Sequence, residues 1–279
     1  MRLCYLVGYP VEHSVSPAMH NACFKALGLD YEYRLAPVEP GELATFMNGA
    51  MKHGCVRGCN VTIPHKVEVM RHLDEVQGAA GAIGAVNTVL NNEGVLKGYN
   101  TDCLGGVKAL EDKYGDLKDA EVVILGAGGA ARALVYGLRQ KVQSITVLNR
   151  DPKKAETLVN RFKEYSNASM RHGSLDELGD HLASADILVN TTPVGMNPHT
   201  DQTPVPMELL HRDLLVYDLV YNPAETRLLK EAENVGARTL SGVKMLVYQG
   251  AESFKLWTGL EPPTDLMIRE AVARLEVQK

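Results

Sequence analysis

The 279-residue chain predicts an α/β protein, a doubly wound parallel sheet joined to a second α/β domain. Three observations point there. The apolar run Val122-Val123-Ile124-Leu125 reads as a buried parallel strand, and Arg132 to Leu138 carries apolar residues at helical spacing. Between them lies Gly126-Ala127-Gly128-Gly129-Ala130-Ala131, a tight turn of small residues. A second strand-like run, Ser144 to Leu148, follows at the distance of a strand–helix–strand unit.

The glycine turn has a specific chemistry. Gly126 permits the turn, Gly128 lets backbone approach a pyrophosphate, and Ala131 lets the helix sit close to its strand. The new helix points free N–H groups and a partial positive charge at a phosphate. The next strand ends in Asn149-Arg150-Asp151-Pro152-Lys153-Lys154. An acidic residue at this tip would hold the ribose hydroxyls of NAD; Arg150 with the two lysines suits the extra 2′-phosphate of NADP. The alternative is a solvated first helical turn, although cations there oppose the helix dipole. Asp151 reads as the N-cap before Pro152.

Composition narrows the class. Apolar residues make up 45% of the chain, enough for a substantial core, and the net charge is −5 with no basic block, so nucleic acid is not an expected partner. No apolar run approaches the ~20 residues that span a bilayer. The start, Met1 to Val7, enters a strand-like segment without a signal-peptide pattern. Five thinly spread cysteines fit a reducing, cytoplasmic setting. His53, Cys55, Cys59 and His65 match no usual zinc spacing, so no metal is expected.

From the N-terminus, Arg2 to Gly8 is a strand, and Ser14-Val15-Ser16-Pro17 opens a helix with Ser16 as N-cap and Gly28 as its stop. The two serines serve either turn and cap chemistry or an anion site beside a helix N-terminus. Tyr31 to Val38 is a strand, Pro40 to His53 a helix, and Val56 to Thr62 a strand, which together imply a parallel sheet. A helix is expected from Lys66 through Leu73. Ligands in open α/β sheets bind beyond the carboxyl ends of the strands, where Thr62 and Lys66 lie. A helix start would depress the lysine toward proton-transfer range, whereas taken alone the motif suits an ordinary surface lysine. Gly84 to Asp102 reads as a hairpin turning at Asn91-Asn92-Glu93-Gly94, with Asn87 before one arm and Asp102 after the other, where it also suits a helix cap.

After the glycine unit, the expected elements are a helix from Pro152 to about Tyr165, a short strand at Met170 to His172 and a short helix from Ser174 to His181. Strands follow at Asp186 to Asn190, Leu214 to Tyr221 and Ala237 to Leu240, then helices from Met245 to Trp257 and Asp265 to Val277. The alternation gives a doubly wound sheet of about six strands.

The set of motifs resembles the shikimate dehydrogenase family over essentially the whole chain. It comprises Ser14-x-Ser16-Pro17, Asn60-Val61-Thr62-x-Pro64-x-Lys66, Gly84-Ala85-Val86-Asn87-Thr88 and Gly98-x-Asn100-Thr101-Asp102. Further along come Gly126 to Ala130, Asn149-Arg150, Asn190-Thr191-Thr192-Pro193-x-Gly195-Met196, Asp218-x-x-Tyr221-x-Pro223 and Gly242-x-x-Met245-Leu246-x-x-Gln249-Gly250. The resemblance implies a substrate-binding domain at 1–101 with 244–279, and an NADP-binding Rossmann domain at 102–243, facing each other across a cleft. It implies reversible, NADPH-dependent reduction of 3-dehydroshikimate to shikimate in aromatic amino-acid biosynthesis, by a monomer or homodimer.

Position by position, it assigns Ser14, Ser16 and Tyr221 to the substrate carboxylate, and Thr62, Lys66, Asn87, Asp102 and Gln249 to the ring hydroxyls. Gly126, Ala127, Gly128, Gly129 and Ala130 would cradle the pyrophosphate of NADP(H). Asn149, Arg150 and Lys154 would hold the adenosine phosphate, with Leu219 and Gly242 at the nicotinamide side. Lys154 stands where the family often has arginine, keeping the charge without the planar fork. Reduction of a ketone needs a positioned acid, and Lys66 is the candidate, oriented by Asp102. A quinate-using, NAD-tolerant enzyme and a non-catalytic NADP-binding regulator are the rival expectations; the regulator would be expected to lack Lys66 or Asp102.

Overall fold

In the computed structural model, which describes residues 1–277, β1 (Arg2–Gly8) lies between two parallel neighbours, β2 (Tyr31–Pro37) and β3 (Val56–Val61). Residues 278 and 279, the end of the expected substrate domain, lie outside the described residues. α1 (Ser16–Ala26) links β1 to β2, and Gly28 follows it at φ +64°, as a helix stop requires. Ser16 is not its cap. Val15 holds that position, and the Ser16 N–H is taken instead by the Ser14 hydroxyl at 3.2 Å.

The helix expected over Pro40 to His53 is two pieces, α2 (Leu43–Asn48) and one 3₁₀ turn, Ala50–Lys52. The break falls at Gly49, whose ψ of −89° leaves the helical region. The helix expected from Lys66 is also absent. Turns lead into a 3₁₀ segment, Glu68–His72, because the Lys66 carbonyl is drawn to the Val86 N–H at 2.7 Å instead of serving a helical ladder. Lys66 therefore has no α-helix dipole acting on it.

β4 (Glu75–Val76) and α3 (Ala79–Ile83) precede the hairpin of β5 (Thr88–Asn92) and β6 (Val95–Tyr99). Its turn is tighter than expected. Glu93 and Gly94 alone form it, at φ 55° and 93°, the backbone twist that two-residue hairpin loops need. The sheet order is β2-β1-β3-β5-β6-β4. It is mixed, not purely parallel, because β5 runs antiparallel to both β3 and β6.

α4 (Asp102–Tyr114) leads to the second sheet. Its elements are β7 (Glu121–Leu125), α5 (Gly129–Leu138), β8 (Ser144–Leu148), α6 (Pro152–Phe162), β9 (Ser169–Gly173), α7 (Leu178–Leu182), β10 (Ile187–Asn190), β11 (Leu215–Asp218), α8 (Arg227–Asn234) and β12 (Arg238–Ser241). The order β12-β11-β10-β7-β8-β9 is parallel throughout, with the winding reversing between β7 and β10. Ligands of doubly wound sheets bind at that reversal. β11 stops at Asp218, short of the expected Tyr221, because the Asp218 side chain accepts the Val220 N–H and bends the chain.

α9 (Val243–Thr258) and α10 (Thr264–Val277) complete the fold. The chain divides into two compact units, Met1–Gly105 with the segment from Val247, and Gly106–Leu246. Trp257 anchors α9 in the first unit. Its indole Nε1 donates to the Val89 carbonyl at 3.0 Å, and it lies so close to Gly58 that a Cβ there would meet Nε1 at 2.3 Å. Tyr33 and His20 pack against it, with Phe24 and Phe254 beside His20; the His20 ring stacks on Tyr33 at 4.5 Å, and burial pushes its pKa down to about 3. Among the described residues no helix is long and apolar enough to cross a membrane.

Candidate active site

Topology gathers the first unit's candidates at one end of its sheet. Ser14 follows β1, while Thr62 and Lys66 follow β3. Asn87 precedes the antiparallel β5, and Asp102 follows β6. The hydrogen bonds then make four of them one chain. Lys66 Nζ meets Asp102 Oδ2 at 2.5 Å, with side chains 18% and 6% exposed. The other carboxylate oxygen, Oδ1, accepts from Asn87 Nδ2 at 2.9 Å. The same nitrogen approaches Gln249 Oε1 at 3.2 Å, bringing in α9. The Asn87 amide is held in this sense because its oxygen accepts the Thr101 N–H at 2.7 Å.

Behind this row lies a polar layer that the sequence reading did not assign to the site. Thr88, Thr101 and Ser253 are buried and share hydroxyl contacts of 2.8 to 3.3 Å. Asn60 donates to Ser253 at 2.8 Å and accepts from Tyr33 at 2.8 Å. The one sequence signal for Ser253 was its place one helical turn after Gln249, on the same face. A buried layer satisfied in this way fixes Asn87 and hence the carboxylate.

Ser14 and Ser16 form a separate pair, hydroxyl to hydroxyl at 3.2 Å, at the start of α1. Thr62 is half-buried just past β3, its N–H on the Val7 carbonyl at 2.8 Å. Its methyl fills the space over Gly8, where a Cβ would lie 2.3 Å away. Tyr221 belongs to the other unit, three residues beyond the end of β11.

In the Gly106–Leu246 unit, the turn from β7 to α5 has a shape only glycine permits. Gly126 sits at φ +105°, and a Cβ on it would meet Thr191 Oγ1 at 2.5 Å. Gly128 opens the helix without a side-chain cap, and nothing lies within 4 Å of where its Cβ would be. The first-turn N–H groups of Gly129, Ala130 and Ala131 have no intrahelical acceptors, as at any helix start. Ala127 precedes them and Ala131 is fully buried against the strand.

At the end of β8, Arg150, Lys153 and Lys154 are exposed. Asp151 caps α6 through the Lys153 N–H at 3.2 Å, while the Asn149 amide donates to the Asp151 carbonyl at 2.9 Å. Leu219 and Gly242 touch through backbone, since a Cβ on Gly242 would lie 2.3 Å from the Leu219 carbonyl oxygen. An open glycine cradle, an uncapped helix start and cations at the neighbouring strand tip fit a dinucleotide that carries an additional phosphate.

The comparisons with known proteins converge on one family. Residues 6–89 match the model for the shikimate dehydrogenase substrate binding domain, 108–216 that for shikimate/quinate 5-dehydrogenase, and 242–271 that for the shikimate 5′-dehydrogenase C-terminal domain. The shikimate dehydrogenase (NADP(+)) of Methanothermobacter thermautotrophicus is 47% identical over 264 residues, 94% of this chain and 93% of that protein. A solved shikimate dehydrogenase in complex with NADP+ superposes with a TM-score of 0.91 at 44% identity, over 99% of this chain and 96% of that one. The shikimate 5-dehydrogenase of Thermus thermophilus, solved with NADP(H) and shikimate, gives 0.87 at 36% identity, covering 98% of this chain and 100% of that one. With relatives this close along nearly its whole length, the chain belongs to the shikimate dehydrogenase family.

Proposed function

We propose that this protein is an NADP-dependent shikimate dehydrogenase, interconverting 3-dehydroshikimate and shikimate, with Lys66 as its proton-transfer group. The observation that carries the reading is the Lys66–Asp102 pair at 2.5 Å, held from behind by Asn87. Bound NADPH supplies the hydride. The chain's own contribution is to hold the ketone and to meet the negative charge that develops on its oxygen. Lys66 carries three donors on a mobile stem, so one can serve Asp102 while another faces the substrate oxygen. Asp102, buried and fixed by Asn87, keeps the ammonium in place and offsets its charge. In the reverse direction the same nitrogen takes the proton back.

The substrate-binding role falls to the unit that holds Lys66, and the NADP-binding role to Gly106–Leu246. Thr62, Asn87, Asp102 and Gln249 supply donors and acceptors for ring hydroxyls, while Ser14, Ser16 and Tyr221 supply hydroxyls for the carboxylate. The glycine turn from Gly126 to Ala130 would hold the pyrophosphate. Arg150 and Lys154, supported by Asn149, would hold the 2′-phosphate. Leu219 and Gly242 would flank the nicotinamide.

The test is absorbance at the reduced-nicotinamide band with shikimate and each oxidised cofactor. A rise with NADP+ that exceeds the rise with NAD+ is expected. No rise with shikimate and NADP+ would overturn the reading. Quinate in the same assay measures substrate breadth.

A further inference from the structure

We infer that Asp218 is a positioning residue for the nicotinamide end of the cofactor-binding unit, tying together the loop after β11, the loop after β10 and the start of α8. The inference rests on the NADP reading of that unit.

Asp218 is fully buried at the carboxyl end of β11 and pairs in register with Asn190 at the end of β10. Its Oδ1 accepts from the Val220 N–H at 3.0 Å and from Asn190 Nδ2 at 2.9 Å. Its Oδ2 accepts from Thr226 Oγ1 at 2.6 Å. Each partner passes the constraint on. Asn190 Oδ1 accepts both the N–H and the hydroxyl of Thr192, at 3.0 and 2.6 Å. Thr226 caps α8 by accepting the Leu229 N–H. Val220 fixes the chain between Leu219, whose carbonyl abuts Gly242, and Tyr221.

The neighbouring loop connects this network to the glycine turn. Thr191 donates to the Leu125 carbonyl at 2.6 Å and occupies the space over Gly126. One carboxylate thus sets the backbone of the loops after β10 and β11, the first of which leaves a strand at the winding reversal. Burying a carboxylate without a cation beside it is costly, and an apolar side chain would pack the strand end without that cost. Three donors converging on it from three segments identify what it does instead, which is to fix loop geometry.

The experiment compares Asp218→Ala, Asp218→Asn and Asn190→Ala with the unmodified protein. Two probes are used. NADPH binding is followed by nicotinamide fluorescence, and binding of adenosine 2′,5′-bisphosphate by calorimetry. The bisphosphate carries the adenosine half of NADP, its 2′-phosphate for Arg150 and its 5′-phosphate for the glycine turn, and lacks the nicotinamide. Asp218→Ala is expected to lose about 10²-fold in kcat and to weaken NADPH, since small misplacements near the chemistry cost that much. Its affinity for the bisphosphate should fall far less than its affinity for NADPH.

Asp218→Asn can still accept from Val220 and Asn190 and donate to Thr226, so it should recover most of the loss. Unchanged kcat and NADPH affinity in Asp218→Ala would overturn the inference. Equal loss of both probes there and in Asn190→Ala would also overturn it, leaving a general structural role. An unmodified protein that binds neither probe would overturn the NADP reading itself.

Discussion

Replacing Asp218 by Asn should change how stability responds to pH, and the structure gives the sign and size. Burial pushes this carboxyl from its ordinary 3.8 up to about 6, against the opposing pull of Thr226, the Val220 N–H and Asn190. Below 3.8 the group is protonated in folded and unfolded chains alike. Between 3.8 and 6 the unfolded chain has released the proton and the folded one retains it, so stability falls as pH rises through this window. Above 6 the full cost of a buried carboxylate is present. The displacement corresponds to about 3 kcal/mol, an upper figure, since the unfolded chain retains some structure.

Asparagine has no such titration and keeps the three hydrogen bonds once the Thr226 hydroxyl reverses its role. At pH 7 the Asp218→Asn variant should therefore be the more stable protein, and its advantage should vanish as pH approaches 4. Amide hydrogen exchange of Leu215–Asp218 and Ile187–Asn190, compared between the two proteins at each pH, reads the local free energy without assuming that both units unfold together. A stability difference that stays constant from pH 4 to pH 7.5 would refute the reasoning.

Three further substitutions probe the site. Lys66→Ala should lower kcat by about 10²–10⁴-fold, the usual worth of general acid–base catalysis, while shikimate affinity changes less; near-full turnover would move the proton donor elsewhere. Arg150→Asp should weaken NADP+ by about 10- to 100-fold, from loss of a charge-assisted hydrogen bond of about 1.5–3 kcal/mol, and NAD+ far less. Titrating both cofactors decides, and equal weakening would point to misfolding. Gly242→Ala places a Cβ 2.3 Å from the Leu219 carbonyl oxygen, an overpacking that typically costs about 1–3 kcal/mol. Its melting temperature should fall and its KM for NADP+ should rise; parental values for both would show that the strand end yields freely.

The second sheet was legible because its strands are short apolar runs closed by turn residues, and because Gly126 to Ala131 ties turn chemistry to a helix start. Those signals are local. The first unit was less legible where distant partners decide the local form. Nothing near Lys66 says that its carbonyl will be claimed by Val86, which is what removes the expected helix. Nor does the run from Pro40 to His53 show, apart from Gly49, that it will break. The direction of β5 depends on the hairpin partnering β3, a choice made across the sheet and not along the chain.

The same distinction separates two explanations of Lys66. A helix start would have acted on the lysine through its own neighbours in sequence. The structure has no helix there and instead sets a carboxylate from 36 residues away against the ammonium at 2.5 Å. That carboxylate is itself held by Asn87, and Asn87 by Thr101 just past β6, by Thr88 of β5 and by Gln249 of α9. The proton-transfer role proposed for Lys66 then depends on the assembled sheet end. A variant that loosens Ser253 or Asn60, neither of which touches Lys66 directly, should disturb catalysis through Asn87, as a purely local device would not. Asp218 follows the same logic in the other unit. Its signal was an acid inside the apolar run Val216-Tyr217-Asp218-Leu219, but what it grips, Asn190 and Thr226, is set by strand register and helix placement, which only the folded chain fixes.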